Sequence, residues 1–177
     1  MRAIRTCVAI SILSCVAASV PARAQQARTI YLVRHADKVS DDVDAPLSEA
    51  GRVRAACLAN TLQDANIQQI FTSELQRTQQ TAAPLGEKLH LKPVAIPLSK
   101  VDDLIEAIRS SKAASVLVVW HDATLPKILL ALGAPEITPI GHTEYDRFFI
   151  LTFSGDGKGS TPGFVALRYC DPPKGVQ

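Results

Sequence analysis

From Thr29 onward the hydrophobic positions switch repeatedly between short β-branched runs and amphipathic stretches of helical period. That alternation is the pattern of βα units around a mostly parallel sheet. Thr29-Ile30-Tyr31-Leu32-Val33 predicts a strand, followed by an Asp-rich polar loop over 37–45 and a helix from Glu49 to about Asp64, with Ser48 as its cap. Gln69 to Thr72 predicts a second strand. Ser73 and Gln76 then form a Ser-x-x-Gln capping box for a helix from Glu74 to about Leu89, in which Pro84 predicts a kink or an early stop. A short strand over 93–96 and a helix over 101–110 follow. Ser115 to Trp120 is the most continuously apolar run, as a strand buried on both faces requires, and a helix from about Leu125 to Leu132 ends at Gly133. Beyond Gly133 the strand-like runs 147–153 and 164–169 flank a loop too short for a crossover helix, so they should pair as an antiparallel hairpin. The expected fold class is α/β, a three-layer α/β/α sandwich around a mostly parallel sheet with a C-terminal antiparallel hairpin.

The first 24 residues differ in kind. Arg2 and Arg5 form a positive start, 7–20 is an uncharged apolar run, and Ala22-Arg23-Ala24 has the small-x-small pattern of a signal peptidase site. About 14 apolar residues are too few to span a bilayer as a helix, which takes roughly 20. The expectation is a signal peptide over 1–24 cleaved after Ala24, a single domain over 25–177, and a periplasmic or secreted protein without a stable membrane span. A lipoprotein signal would use Cys15, behind an indifferent lead-in. Of the 19 basic residues, Arg2, Arg5 and Arg23 leave with the segment and none of the 17 acidic ones does, so the overall +2 becomes a nearly neutral 16 against 17. Nucleic acid is therefore not an expected partner. Two cysteines remain, Cys57 and Cys170. They could pair in an oxidising compartment, or Cys57 could be a buried thiol on a helical stripe of Val53, Cys57, Leu58 and Leu62.

In a parallel α/β sheet, ligands bind outside the carboxyl ends of the strands. Arg34-His35-Ala36-Asp37-Lys38 follows the first strand, Ser73 and Arg77 the second, and His121-Asp122 the long buried one. Two arginines and two histidines should converge on one mouth beside two helix N-termini, which describes an anion site. A tetrahedral phosphate has enough oxygens to occupy those donors, and a neutral, oriented imidazole is a competent nucleophile toward phosphorus.

Leu32-Val33-Arg34-His35-Ala36 resembles the Arg-His-Gly/Ala signature of the histidine phosphatase superfamily, with its phosphoglycerate-mutase-like fold. The resemblance continues through Leu47-Ser48-Glu49-Ala50-Gly51, the segment from Ser73 to Ala82, and Val118-Val119-Trp120-His121. It implies that His35 is the nucleophile that becomes a phosphohistidine, that Arg34, Arg77 and His121 hold the phosphoryl oxygens, and that no metal or other cofactor is used. Trp120 stands where a Gly often precedes the second histidine. Asp122 follows His121 as in the acid phosphatase and phytase branch, which makes it a candidate general acid; the alternative is a helix N-cap. A Glu after the second helix, the other common proton donor, has no clear equivalent. Glu144-Tyr145-Asp146-Arg147 is similar to small exported members of the superfamily.

Four further residues are candidate substrate contacts: Lys38, Ser73, Asp146 and His142. For Lys38 a surface position, for Asp146 a solvated turn and for His142 a loop position are the competing readings. Arg52 and Arg54 read as the solvated face of the first helix, and His90 as a helix-end residue. The expected activity is hydrolysis of a small-molecule or protein-borne phosphate ester. A non-catalytic phosphate binder on the same fold is the alternative, and a metallohydrolase using His35, Asp37, His121, Asp122 or His142 a third reading. A mutase is disfavoured because the chain is short and its start is that of an exported protein.

Overall fold

The chain alternates strand and helix as β1 (Arg28–Arg34), α1 (Glu49–Leu62), β2 (Gln69–Thr72), α2 (Gln76–Leu89), β3 (Val94–Ala95), α3 (Val101–Ser110), β4 (Ser115–Trp120) and α4 (Leu125–Ala131), then closes with β5 (Arg147–Phe153) and β6 (Gly163–Arg168). The computed structural model describes residues 27–154 and 161–170. The expected signal peptide and cleavage point, and the tip of the last hairpin, lie outside the described residues. Six strands form one sheet in the order β3-β2-β4-β1-β5-β6. β1 pairs parallel with β4 and antiparallel with β5, and β5 with β6 forms the expected hairpin. The result is the expected α/β/α sandwich. Among the described residues no helix is long and apolar enough to cross a membrane.

The two-residue period of the central strands builds both cores. Ile30 and Leu32 of β1 and Val116, Val118 and Trp120 of β4 pack against Leu104, Ile108, Ile128 and Leu129 of α3 and α4. Their neighbours of opposite parity, Val33, Leu117 and Val119, meet Leu58, Leu62, Ala82 and Leu85 of α1 and α2. All six residues of β4 are buried, which is why that run carries no polar alternation. α4 closes with Gly133 at φ +91°, a conformation that favours glycine.

Three local expectations are corrected. α2 starts at Gln76, two residues late, because Ser73 does not form a capping box with Gln76; the Gln76 amide and side chain go to Asp44 instead. Pro84 does not end α2. It forfeits one hydrogen bond, to the Gln80 carbonyl, but the buried Ala82 and Leu85 on either side anchor the helix through tertiary packing. α1 buries Gly51, Arg54, Ala55, Leu58, Ala59 and Leu62, while Val53 is exposed. Arg54 is thus not on the solvated face. Its Nε donates to Asp37 Oδ2 at 2.7 Å and its Nη1 to the Cys170 carbonyl at 2.7 Å.

Cys57 is bonded to Cys170, with the Cα atoms 6.1 Å apart. The disulfide and Arg54 together fasten the end of β6 to α1, and Arg54 reaches on to the loop that follows β1. Gly51 is required at the same place, since a Cβ there would overlap the Asp37 carbonyl oxygen.

Candidate active site

The carboxyl ends of β1, β2 and β4 deliver His35, Ser73 and His121 to one mouth. His35 leaves β1 with its amide donating to the Trp120 carbonyl at 2.8 Å, so the two central strands position it together. The next amide, of Ala36, donates to Thr81 Oγ1 at 2.9 Å, and that hydroxyl donates to the Arg77 carbonyl at 2.7 Å. Thr81 therefore ties the loop carrying His35 to the first turns of α2, which carry Arg77.

The hydrogen bonds assign the tautomers of both imidazoles. His35 Nδ1 lies 2.8 Å from the Ala36 carbonyl, which can only accept, so Nδ1 holds the proton and the neutral ring keeps its lone pair on Nε2. An Arg77 guanidinium N–H donates to His121 Nδ1 at 3.3 Å, which leaves the His121 proton on Nε2, 2.9 Å from Ser73 Oγ. Ser73 in turn contacts Thr78 Oγ1 at 2.9 Å, and the Thr78 hydroxyl has the Ser73 and Leu75 carbonyls within reach. Ser73 thus orients His121. The two rings lie 5.3 Å apart, and Trp120 packs edge-on behind His121 at 5.7 Å.

Both histidines are nearly inaccessible, at 2% and 4% exposure. Burial, followed for His35 by the positive charges of Arg34, Arg77 and Lys38, pushes each down to about 3; for His121 the second cause is the His35 ring. Both are accordingly neutral across ordinary pH. The sign of the linkage follows: with folded values below the unfolded 6.5, the unfolded chain binds more protons between about 3 and 6.5, so these residues subtract stability as pH falls through that window. Urea titrations at stepwise pH should show a shallower loss of stability from pH 6.5 to 4 in the His35→Ala/His121→Ala variant than in the parent. Equal slopes would mean that the rings are not buried neutral.

Arg34 is 1% exposed and does more than face the mouth. Its Nη1 donates to the carbonyls of Gly141, His142 and Glu144 at 2.9, 2.8 and 3.1 Å, and its Nη2 pairs with Asp122 Oδ2 at 3.1 Å. Tyr145 lies beneath the guanidinium at 4.1 Å, with its ring 5.8 Å from that of His35. Arg77 Nη1 is held by the Val43 carbonyl at 2.6 Å. The Nε atoms of both arginines are buried and find no partner among the described residues.

The remaining candidates are distributed around this centre. Lys38 pairs with Asp41 at 2.7 Å. His142 contributes its backbone carbonyl to Arg34, while its exposed imidazole lies 3.4 Å from Asp41. Asp146 is not in a solvated turn; it is buried and chelated by Arg168 at 2.6 and 2.7 Å across β5 and β6. Asp122 does not cap α4, whose N-cap is Thr124; its Oδ1 accepts from the Ala123 amide. Of the two expected helix N-termini, that of α2 is already engaged by Asp44. Among the described residues, no three His, Cys, Asp or Glu side chains gather in a metal-binding group, and Asp37 and Asp122 are each paired to an arginine.

Residues 30–106, which contain His35, Arg77 and the Thr81 tie, match the family model of the histidine phosphatase superfamily, branch 1. Over that stretch the chain is similar to the histidine phosphatase superfamily. A probable phosphatase of Schizosaccharomyces pombe is 34% identical over 86 residues, covering 45% of this chain. The match spans about two fifths (39%) of that relative's length. Among solved structures, the protein histidine phosphatase SixA complexed with tungstate aligns over 79% of this chain and 96% of its own, with a TM-score of 0.59 and 24% identity. A mycobacterial glucosyl-3-phosphoglycerate phosphatase aligns over 81% and 99%, with a TM-score of 0.59 and 16% identity. These structural likenesses establish the histidine phosphatase fold.

Residue type alone does not mark Thr78, Thr81 or Tyr145. The first two carry a legible signal, because they are polar residues at the buried phase of α2, alongside Ala82 and Leu85. Such positions must find hydrogen-bond partners. Tyr145 offers no comparable local cue.

Proposed function

We propose that this protein is an exported phosphomonoesterase that works by two-step transfer through His35. The observation that carries the reading is the His35 ring itself: neutral, buried, locked by its Nδ1–H on the Ala36 carbonyl, with a lone pair on Nε2 beside two guanidiniums. In the first step Nε2 forms a bond to phosphorus, the bond from phosphorus to the ester oxygen breaks, and Asp122 gives its proton to the departing alkoxide. Arg34, Arg77 and His121 surround the phosphoryl group, whose oxygens satisfy the two unpartnered Nε atoms and balance the charge that develops in transfer. In the second step water attacks phosphorus, the P–N bond breaks, and Asp122 takes the water proton. The sequence of steps needs no metal or cofactor. Asp122 also weakens the case for a non-catalytic binder, since it supplies an acid at the mouth. The bond between Cys57 and Cys170 supports an oxidising compartment, in keeping with the signal-like first 24 residues.

The test is to mix the purified mature protein with an aryl phosphate carrying labelled phosphorus, in the presence of a strong chelator, and to quench in denaturing alkali. The expected result is label on the chain, at most one per molecule, stable to alkali and released by acid as a phosphoramidate must be. Turnover without such label, or turnover abolished by the chelator, would overturn the reading.

A further inference from the structure

A cavity of about 610 Å³ opens beside the mouth, between the outer stripe of α4 and the loop that follows it. Pro126 and Leu130, one helical turn apart, form one wall, while Ile137, Pro139 and Ile140 form the other. α4 turns Leu125, Ile128 and Leu129 into the core, so Pro126 and Leu130 are apolar without being needed there, whereas on the far wall Ile140 belongs to that core and Ile137 packs against it. Leu130 is 60% exposed. The far wall is continuous with the catalytic centre, because Arg34 holds the carbonyls of Gly141 and His142 directly after Ile140. At its inner end the cavity is lined by Asp122, whose carboxylate is 3.1 Å from Arg34.

We infer that this cavity receives the organic part of the substrate, and that the substrates are phosphomonoesters of apolar alcohols, alkyl or aryl, rather than of sugars or polyols. The inference rests on the proposed function and extends it. If Asp122 protonates the leaving oxygen, the carbon attached to that oxygen starts where Asp122 stands. The space beyond is walled mainly by five hydrophobic side chains, with Lys127, Glu136 and His142 also in its lining. A polyol placed against those apolar walls would lose water from hydroxyls that, beyond Asp122, only the Lys127, Glu136 and His142 side chains of the lining could hydrogen-bond, whereas an alkyl or aryl group gains from burial along the rest. The volume is in the range of pockets that bury ligands larger than a single ring.

The experiment is a kinetic series of ethyl, butyl, hexyl and octyl phosphate, all below micellar concentration, with glycerol 1-phosphate as the polyol arm and the His35→Ala variant as the blank. kcat/KM should rise with chain length by up to about fourfold per methylene until the cavity is filled, which is the gain for burying one CH₂. Glycerol 1-phosphate should fall below butyl phosphate. In the Leu130→Asp variant the ratio of hexyl to ethyl phosphate should collapse toward unity; because the ratio is internal to one protein, it is independent of how much of the variant is folded. Hydrolysis that depends on His35 but is flat along the series, or that favours the polyol, would overturn the cavity assignment and leave the phosphatase reading standing. A length dependence unchanged by Leu130→Asp would also overturn the assignment. No turnover of any ester would instead sink the phosphatase reading on which it rests.

Discussion

Replacement of His35 by Ala should lower kcat/KM for a small aryl phosphate by about 10⁴-fold or more, the scale on which loss of a covalent nucleophile acts. The argument is that no other group in the mouth can take its place. The His121 lone pair is on Nδ1, which already accepts from Arg77, and its other nitrogen donates to Ser73. Asp122 is paired to Arg34, and Ser73 Oγ is enclosed by His121, Thr78 and the Leu75 amide. The anion cradle, in contrast, is made by residues that do not depend on the His35 ring: Arg34 is fixed by loop carbonyls and Arg77 by Val43. Inorganic phosphate should therefore still bind the His35→Ala variant, measurable by calorimetry, while turnover disappears. The backbone bonds from His35 to Trp120 and from Ala36 to Thr81 are also untouched by the substitution, so the melting temperature should change little. Turnover within tenfold of the parent would remove His35 from the reaction, whatever the fate of binding.

What could be read in the chain beforehand divides along the range of the interactions involved. The run Ser115 to Trp120 announced a strand buried on both faces because nothing polar interrupts it, and all six residues are buried. Gly133 announced a helix end because its backbone requirement is local. His35 and His121 were legible because strand ends are legible, and ligands in such sheets gather there. Arg54 defies a reading by charge for the opposite reason. Judged by charge it belongs in solvent beside Arg52, and only Asp37, 17 residues earlier, together with the chain end at Cys170, makes its burial tolerable. Ser73 shows two interactions in competition. Its local pattern with Gln76 satisfied a capping box, but His121, 48 residues later, took the hydroxyl, and Asp44 took Gln76. Asp146 likewise found Arg168 on the neighbouring strand. A polar side chain's partner is set by tertiary proximity, and one sequence without the fold does not record that.

Arg34→Ala should fail in two ways at once, and the pairing of the failures distinguishes Arg34 from Arg77. The parent guanidinium serves three carbonyls of one short segment, one carboxylate and one aromatic face. Its removal leaves those carbonyls without their donor and Asp122 without its counter-charge. Discounting for the partial exposure of Asp122, the expected loss of folding stability is about 2–4 kcal/mol. The loss in kcat/KM should reach about 10³-fold, since a phosphate donor goes and both Asp122 and the Tyr145 ring lose their support. Arg34→Lys separates the roles, because a single ammonium keeps the charge but cannot present a planar fork to three carbonyls and a carboxylate. It should recover some phosphate affinity and little of the stability, with faster amide hydrogen exchange over residues 141–145, where the Gly141 amide is otherwise held by Glu144. If Arg34→Lys instead matched the parent in exchange and stability while turnover fell, Arg34 would be a phosphate ligand alone. Arg77 offers the contrast. It gives one N–H to Val43 and one to His121, so Arg77→Lys should weaken turnover and phosphate binding without loosening the loop after α4.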